Sequence, residues 1–130
     1  MLKIGDQYKG GIVFSIQGDT ILIAAPSDQS EGCDWQKAQF LLSNLVIQGY
    51  SDWRMPDKEE LNTLYTQLAK EDKGEFKNTY YWSSTQNTES GLYWYENFKN
   101  GQQSYFTSLK NNHIALRVIR TTHAAQNSVS

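Results

Sequence analysis

The stretch Gly49-Tyr50-Ser51-Asp52-Trp53-Arg54-Met55-Pro56-Asp57-Lys58-Glu59-Glu60-Leu61 constrains this chain more than any other. A turn, a large aromatic, an Asp/Arg pair and a helix start follow one another within it. Gly49 suits the left-handed conformation that ends a preceding helix. Pro56 bars helix at Met55, and Asp57 then caps a new helix, with Glu60 reaching back three residues later. Trp53 is too large and apolar to sit free in a loop and is expected to plug a core. Asp52 and Arg54 flank it and are placed to brace the loop through a charge-assisted hydrogen bond. A catalytic Asp52 would need a histidine or metal ligand beside it in the sequence, and there is none. Asp52, Trp53, Arg54 and Asp57 therefore read as structural supports.

The remaining segments arrange themselves around this hub. Residues 8–16 form a strand in which Gly10-Gly11 suggests a bulge or a close backbone contact. Gly18-Asp19 turns it into a second strand over 20–25, and residues 26–32 are a polar loop. Asp34 caps a helix to about Gln48, with Trp35, Ala38, Leu42 and Leu45 on one apolar stripe widened by Leu41. The Asp57 helix buries Leu61, Leu64, Tyr65 and Leu68. Short strands follow at 80–85, 92–98 and 114–121, and Asn100-Gly101 is a strong two-residue hairpin signal that sets Phe98 opposite Gln103. The pattern predicts an α+β fold: one compact domain over residues 1–121 with two helices and a short-stranded, mainly antiparallel sheet, then a frayed tail over 122–130.

At 130 residues the chain is long enough for one domain with a proper core. A formal net charge of −2 and a pI near 5.6 give no basic field, so nucleic acid is not an expected partner. Lys99, Lys110, Arg117 and Arg120 read as scattered charges, the two arginines as structural within the last strand. Cys33 is the one cysteine, so no intrachain disulfide forms, and His113 and His123 lie far from it for a nucleophile and base. No apolar run approaches the ~20 residues of a membrane span. The N-terminus lacks the apolar region of a signal peptide, so the protein is either not exported by that route or an excised domain. No zinc spacing, EF-hand loop, phosphate loop or dinucleotide fingerprint is present, and the reading carries no catalytic residue, no metal and no cofactor.

The late region is rich in aromatics: five of the eight tyrosines and two of the four tryptophans fall between Thr79 and His113. Tyrosine interleaved with Ser, Asn and Gly is the composition of adaptable contact surfaces, although aromatics also simply suit strands. Strand parity puts Trp94, Glu96 and Phe98 on one face and Tyr93, Tyr95 and Asn97 on the other. With Trp94 and Phe98 as the core pair, the Tyr93/Tyr95/Asn97 face is expected outside. Tyr105 completes the ligand-binding set, with Asn111 and Asn112 at its rim. Glu96 then falls on the core side. Either Arg117 or Arg120 pairs with it, or the sheet curls and leaves it at a wet edge.

The ordered set Gly-Tyr-x-Asp-Trp-Arg-x-Pro-x-x-x-Glu-Leu, Tyr81-Trp82-Ser83-Ser84-Thr85, Trp94, Phe98, Gly101 and Arg117-Val118-x-Arg120 resembles the C-terminal domain of the Legionella collagen-like adhesins. Ile4-Gly5-Asp6-Gln7-Tyr8 and Gly10-Gly11-Ile12-Val13-Phe14 extend the likeness over residues 4–120. The resemblance implies a C-type-lectin-like fold, related also to formylglycine-generating enzymes, whose last strand returns beside the first. It implies a noncatalytic role: binding a surface glycan, such as a glycosaminoglycan, or a protein, at the cell surface or outside the cell. Its alternative is a structural or oligomerisation cap on a fibre or collagen-like stalk, with a homo-oligomer, such as a trimer, as the assembly. An enzyme is a distant third. Trp82, Trp94 and Arg117 enter as framework residues. Members commonly carry one cysteine in the first helix and another in the last strand. Here that strand reads Arg117-Val118-Ile119-Arg120, so this brace is lost. The calcium motifs of sugar-binding lectins and the paired cysteines of the enzymes are also missing.

Overall fold

The computed structural model of the chain describes residues 2–105 and 114–124. It is an α+β domain with two four-stranded sheets and two α-helices. In chain order the elements are β1 (Gln7–Tyr8), β2 (Gly11–Gln17), β3 (Thr20–Ala24), α1 (Trp35–Leu42), α2 (Lys58–Gln67), β4 (Tyr80–Gln86), β5 (Tyr93–Asn97), β6 (Gln102–Ser104), β7 (Ile114–Ala115) and β8 (Ile119–His123). A short 3₁₀ turn, Ala69–Glu71, follows α2. The first sheet runs β1-β2-β3-β8 and the second β6-β5-β4-β7, antiparallel except where β7 runs parallel to β4.

Each sheet gives one face to each of two hydrophobic clusters. Val13, Ile21 and Ile23 of the first sheet meet Trp82, Tyr95 and Ile114 of the second, with Ala38 of α1 and Trp53 of the hub. On the opposite side Phe14, Ala24 and Ile119 meet Tyr81, Phe98 and Ala115 beneath Leu61 and Leu64 of α2. The alternation of Ile21/Ile23 against Leu22/Ala24 follows from the two-residue period of a strand. Both faces are covered, which an alternating sequence does not by itself announce.

The N-terminal hairpin forms where it was expected, and its crowding falls on Gly11. A Cβ there would stand 2.0 Å from the carbonyl oxygen of Ala24. The register slip itself comes later, between Val13 and Ser15. Helix α1 stops at Leu42, short of the predicted Gln48. Gly49 does not cap it. Gln48 (φ 56°) and Gly49 (φ 82°) instead form the two left-handed positions of a tight turn, closed by backbone hydrogen bonds between Ile47 and Tyr50.

Three further expectations are corrected. The last strand lies beside β3 and not beside the first strand read over 8–16, which is β2 with the end of β1, and it runs on through Thr122 and His123, so those residues belong to the sheet and not to a tail. The β5–β6 hairpin pairs Asn97 with Gln102 and Glu96 with Gln103, which makes a four-residue loop of Phe98–Gly101. The chain prefers this longer loop because Phe98 is needed in the core, 97 % shielded from solvent. Because the slip is two residues, the faces are unchanged.

Replacing Gly11 with alanine should separate β2 from β3 and cost about 3 kcal/mol, the upper range for overpacking. A denaturant midpoint equal to that of the wild type would show that the two strands yield at little cost.

Candidate functional site

The hub is a set of carbonyls and charges satisfied by distant partners. Trp53 is buried, and its indole N–H donates to the Ile47 carbonyl at 3.2 Å. Asp57 caps α2 in a full capping box with Glu60, as read from the sequence. The Asp52–Arg54 brace does not form. Asp52 accepts two hydrogen bonds from Arg120, at 2.7 and 3.1 Å, while Arg54 forks onto Glu60 at 2.7 and 2.8 Å and reaches Thr121 at 3.0 Å. The reason is the pairing to the last strand: the backbone of Arg54 is bonded to Ile119 by two hydrogen bonds, 2.7 and 2.8 Å, which brings Arg120 and Thr121 alongside the hub. The Arg120 hydrogen bonds hold the Asp52 carboxyl below its usual range. Burial pushes Glu60 up, but the bonds from Arg54 and the Asp57 N–H outweigh it and leave it low.

Arg117 is the largest fully buried side chain among the described residues. Its Nε donates to Asp28 Oδ1 at 2.8 Å, Nη1 to the carbonyls of Ala25 and Gly74 at 2.9 Å each, and Nη2 to that of Glu75 at 3.1 Å. The guanidinium lies 4.0 Å over the Phe76 ring. Tyr81 donates its hydroxyl to the other Asp28 oxygen at 2.9 Å, and burial pushes that phenol's pKa up. Asp28 was missed by sequence reasoning because it sits in a polar loop that carried no pattern. Arg120 stacks 3.8 Å over Tyr50 and donates to the Lys9 carbonyl at 2.8 Å. The two arginines thus grip opposite loops through their main chains.

Between those loops lies a cleft of about 690 Å³, within the usual range for ligand sites. Tyr8, Lys9, Gly10 and Gln48 line one part of it, and Lys73 and Glu75 another. Four non-glycine residues among those described have positive φ, and three of them line this cleft: Lys9 (44°), Gln48 (56°) and Glu75 (55°). Each costs roughly 1 kcal/mol, and such strain gathers where a site must keep its shape. Lys9 and Gly10 (φ 104°) are the turn between β1 and β2, locked against Tyr50. Neither Lys9 nor Lys73 has an ion-pair partner among the described residues. Nothing in the sequence pattern pointed here, since the walls are far apart in the chain.

The sequence-predicted surface is placed differently. Tyr95 is buried in the core, edge-on to Trp82, and Tyr93 stacks on Trp35 with centroids 3.6 Å apart. Asn97 is half-buried and accepts the Lys99 N–H at 2.9 Å. That face is therefore covered by α1 and the first core, which corrects the expectation that it is open. Trp94, assigned to the core, is only partly buried and belongs to neither core cluster. It meets Tyr105 at 4.8 Å and carries the Lys58 ammonium 3.5 Å above its ring. Asn111 and Asn112 lie outside the described residues. Trp82 is buried as expected, with its indole N–H on the Cys33 carbonyl at 2.8 Å. Ser83, Ser84 and Thr85 form an irregularity in β4 that wraps the start of α2: Ser84 N–H bonds Pro56 O at 2.8 Å and Thr85 Oγ1 accepts from Lys58 N–H at 2.9 Å.

These are the residues that carried the family likeness, now joined in space. The sequence pattern of the Lcl C-terminal domain family matches residues 16–120. The chain belongs to that family. No curated protein matches it. The Lcl C-terminal domain is that of a collagen-like adhesin, which fits adhesion at a bacterial surface. Among the described residues no helix is long and apolar enough to cross a membrane. Cys33 of this Lcl domain is buried, and burial pushes its thiol pKa up, so the reactive thiolate is scarce.

Glu96 has neither of the surroundings foreseen for it. It is fully buried, and both arginines are committed elsewhere. Oε1 accepts from Gln103 Nε2 at 3.0 Å, and Oε2 has no hydrogen-bond partner among the described residues. Burial pushes the carboxyl up to about 7, the Gln103 bond opposing only weakly. Between pH 4.5, its ordinary value, and about 7 the native state holds a proton that the unfolded chain has released. Stability attributable to this group therefore falls as pH rises through that window and levels off above it. Glu96→Gln should remove this slope, gaining up to ~3 kcal/mol over wild type between pH 4 and pH 8. Parallel stability curves for the two proteins would show that Glu96 ionises freely.

Proposed function

We propose that this Lcl C-terminal domain is a noncatalytic recognition module that holds an acidic surface glycan in the cleft between the β1–β2 turn and the Lys73–Glu75 loop. The observation that carries the reading is the cleft's preformed wall: strained residues held by two buried arginines through main-chain carbonyls. Rigidity settled before binding lowers the entropic cost of association. Lys9 and Lys73 supply cationic donors, Gln48 an amide, and Tyr8 a ring to lie against a sugar face. Family membership supports a surface ligand as the partner. A second reading, a contact between subunits of a stalk, is favoured by Phe40 and Val46, which are 70 % and 62 % exposed beside α1.

Calorimetry against sulfated, carboxylated and neutral oligosaccharides tests the first reading. The double variant Lys9→Asn, Lys73→Gln should bind an acidic oligosaccharide about tenfold or more weakly than wild type, as for two lost charge contacts. Its melting temperature should not fall, because asparagine suits the left-handed turn position better than lysine. Tyr93→Ala should do the reverse, melting early while binding normally. Unchanged affinity in the lysine variant would remove the cleft from consideration. Sedimentation of wild type and Phe40→Ser tests the second reading: a mass that falls with the substitution supports a subunit contact.

A further inference from the structure

The buried carboxyl of Glu96 and the backbone of Lys58 stand on either side of one glutamine, and the Lys58 ammonium has no ion-pair partner among the described residues. Gln103 Nε2 donates to both the Lys58 carbonyl, at 2.7 Å, and Glu96 Oε1, at 3.0 Å. Lys58 is the first residue of α2, and its side chain runs over the ring of Trp94, two residues before Glu96 on the same strand face. Residues so related lie about 7 Å apart. The Lys58 side chain thus starts within one glutamine of the carboxyl and ends on the ring two residues before it.

We propose that Glu96 and Lys58 form a protonation-controlled latch that decides whether the face of Trp94 is covered. With Glu96 neutral, Lys58 rests on Trp94 and the carboxyl stays dry beneath α2. When Glu96 loses its proton, the bare Oε2 requires a cation, and Lys58 leaves the ring to pair with it. The face of Trp94 beside Tyr105 is then open at the surface.

Among the described residues no other group competes for this role. On β4, Tyr81 stands opposite Glu96, but its hydroxyl is spent on Asp28. On β6, Gln103 is already bonded and carries no charge. On α2, Asp57 is bound to the Glu60 N–H, Glu60 to Arg54, and Glu59 faces solvent. Tyr65 packs on Phe98, and Tyr105 on Trp94. Arg117 and Arg120 are held by Asp28 and Asp52. Leaving an ionised carboxylate half-satisfied in this site is costly, whereas a cation–π contact at a partly buried ring is worth only a fraction of that cost. The balance thus favours transfer of the lysine once the proton is gone. Burial, which sets the carboxyl near neutrality, puts the transition in an accessible pH range.

The chain has four tryptophans, so a protein labelled with ¹⁵N-tryptophan gives few indole signals, and Trp94→Phe identifies the relevant one. Its shift should pass through an inflection near pH 7 in the wild type. In Glu96→Gln the inflection should vanish, and Glu96→Leu serves as a second neutral variant should the first fold poorly. In Lys58→Met it should move up by half a pH unit or more, because the ionised carboxyl has lost its cation; Lys58→Arg should restore it. A flat Trp94 signal in the wild type overturns the latch. So does an inflection that survives in both neutral variants, which would assign it to a histidine. A Lys58→Met midpoint equal to the wild type's would overturn it too, since water and not the lysine would then solvate Glu96.

Discussion

Everything in this fold leans on the burial of two guanidinium groups in one short stretch of chain. From Ile114 to Arg120 every residue is buried, and the stretch passes from β7 in one sheet to β8 in the other. Two charges cannot be taken out of water in such a place unless their donors are met. Arg117 is met by Asp28 and three carbonyls, Arg120 by Asp52 and one carbonyl. Those acceptors come from the N-terminal turn, the loop after β3, the hub and the loop after α2. Satisfying the arginines therefore assembles four otherwise unrelated segments. It also shapes the cleft, because the carbonyls they hold belong to its walls.

This explains why a domain with one cysteine and no disulfide keeps irregular loops in place. A hydrogen-bonded ion pair at the centre of a loop network does a similar job to a covalent brace, with the difference that it works only when complete. Removing either partner of the Arg117–Asp28 pair would leave a buried charge alone, a change of several kcal/mol, whereas a surface pair such as Lys77–Glu31 contributes little.

What was legible in the sequence follows a simple physical division. Local signals came through: the Asp57 capping box, the helix stripe of α2, the N-terminal hairpin and the burial of Trp53 each depend on neighbours within a few residues. Pairings between distant segments did not. Asp52 was given to Arg54 because they are only two residues apart, but Arg120 of the last strand takes Asp52, and Glu60 of α2 takes Arg54. The late aromatics show the same limit. Parity separated Tyr93 and Tyr95 from Trp94 and Glu96 correctly, yet it says nothing about whether one face or both will be covered. The likeness of motifs along the chain identified the family and not the site, because the conspicuous aromatics serve the two cores.

Glu96 and Arg117 make an instructive pair, since both are charged side chains with no exposure. Arg117 has five N–H donors in a fixed fork, and the fold supplies acceptors around it. Glu96 receives one hydrogen bond from an uncharged amide and keeps a bare oxygen. If burial alone selected these residues, an apolar side chain at position 96 would serve the core better than a carboxyl, as the adjacent Phe98 does. A group that weakens the fold as pH rises, placed near a lysine that rests on the Trp94 ring, is better understood as a feature retained for its response than as a flaw in packing.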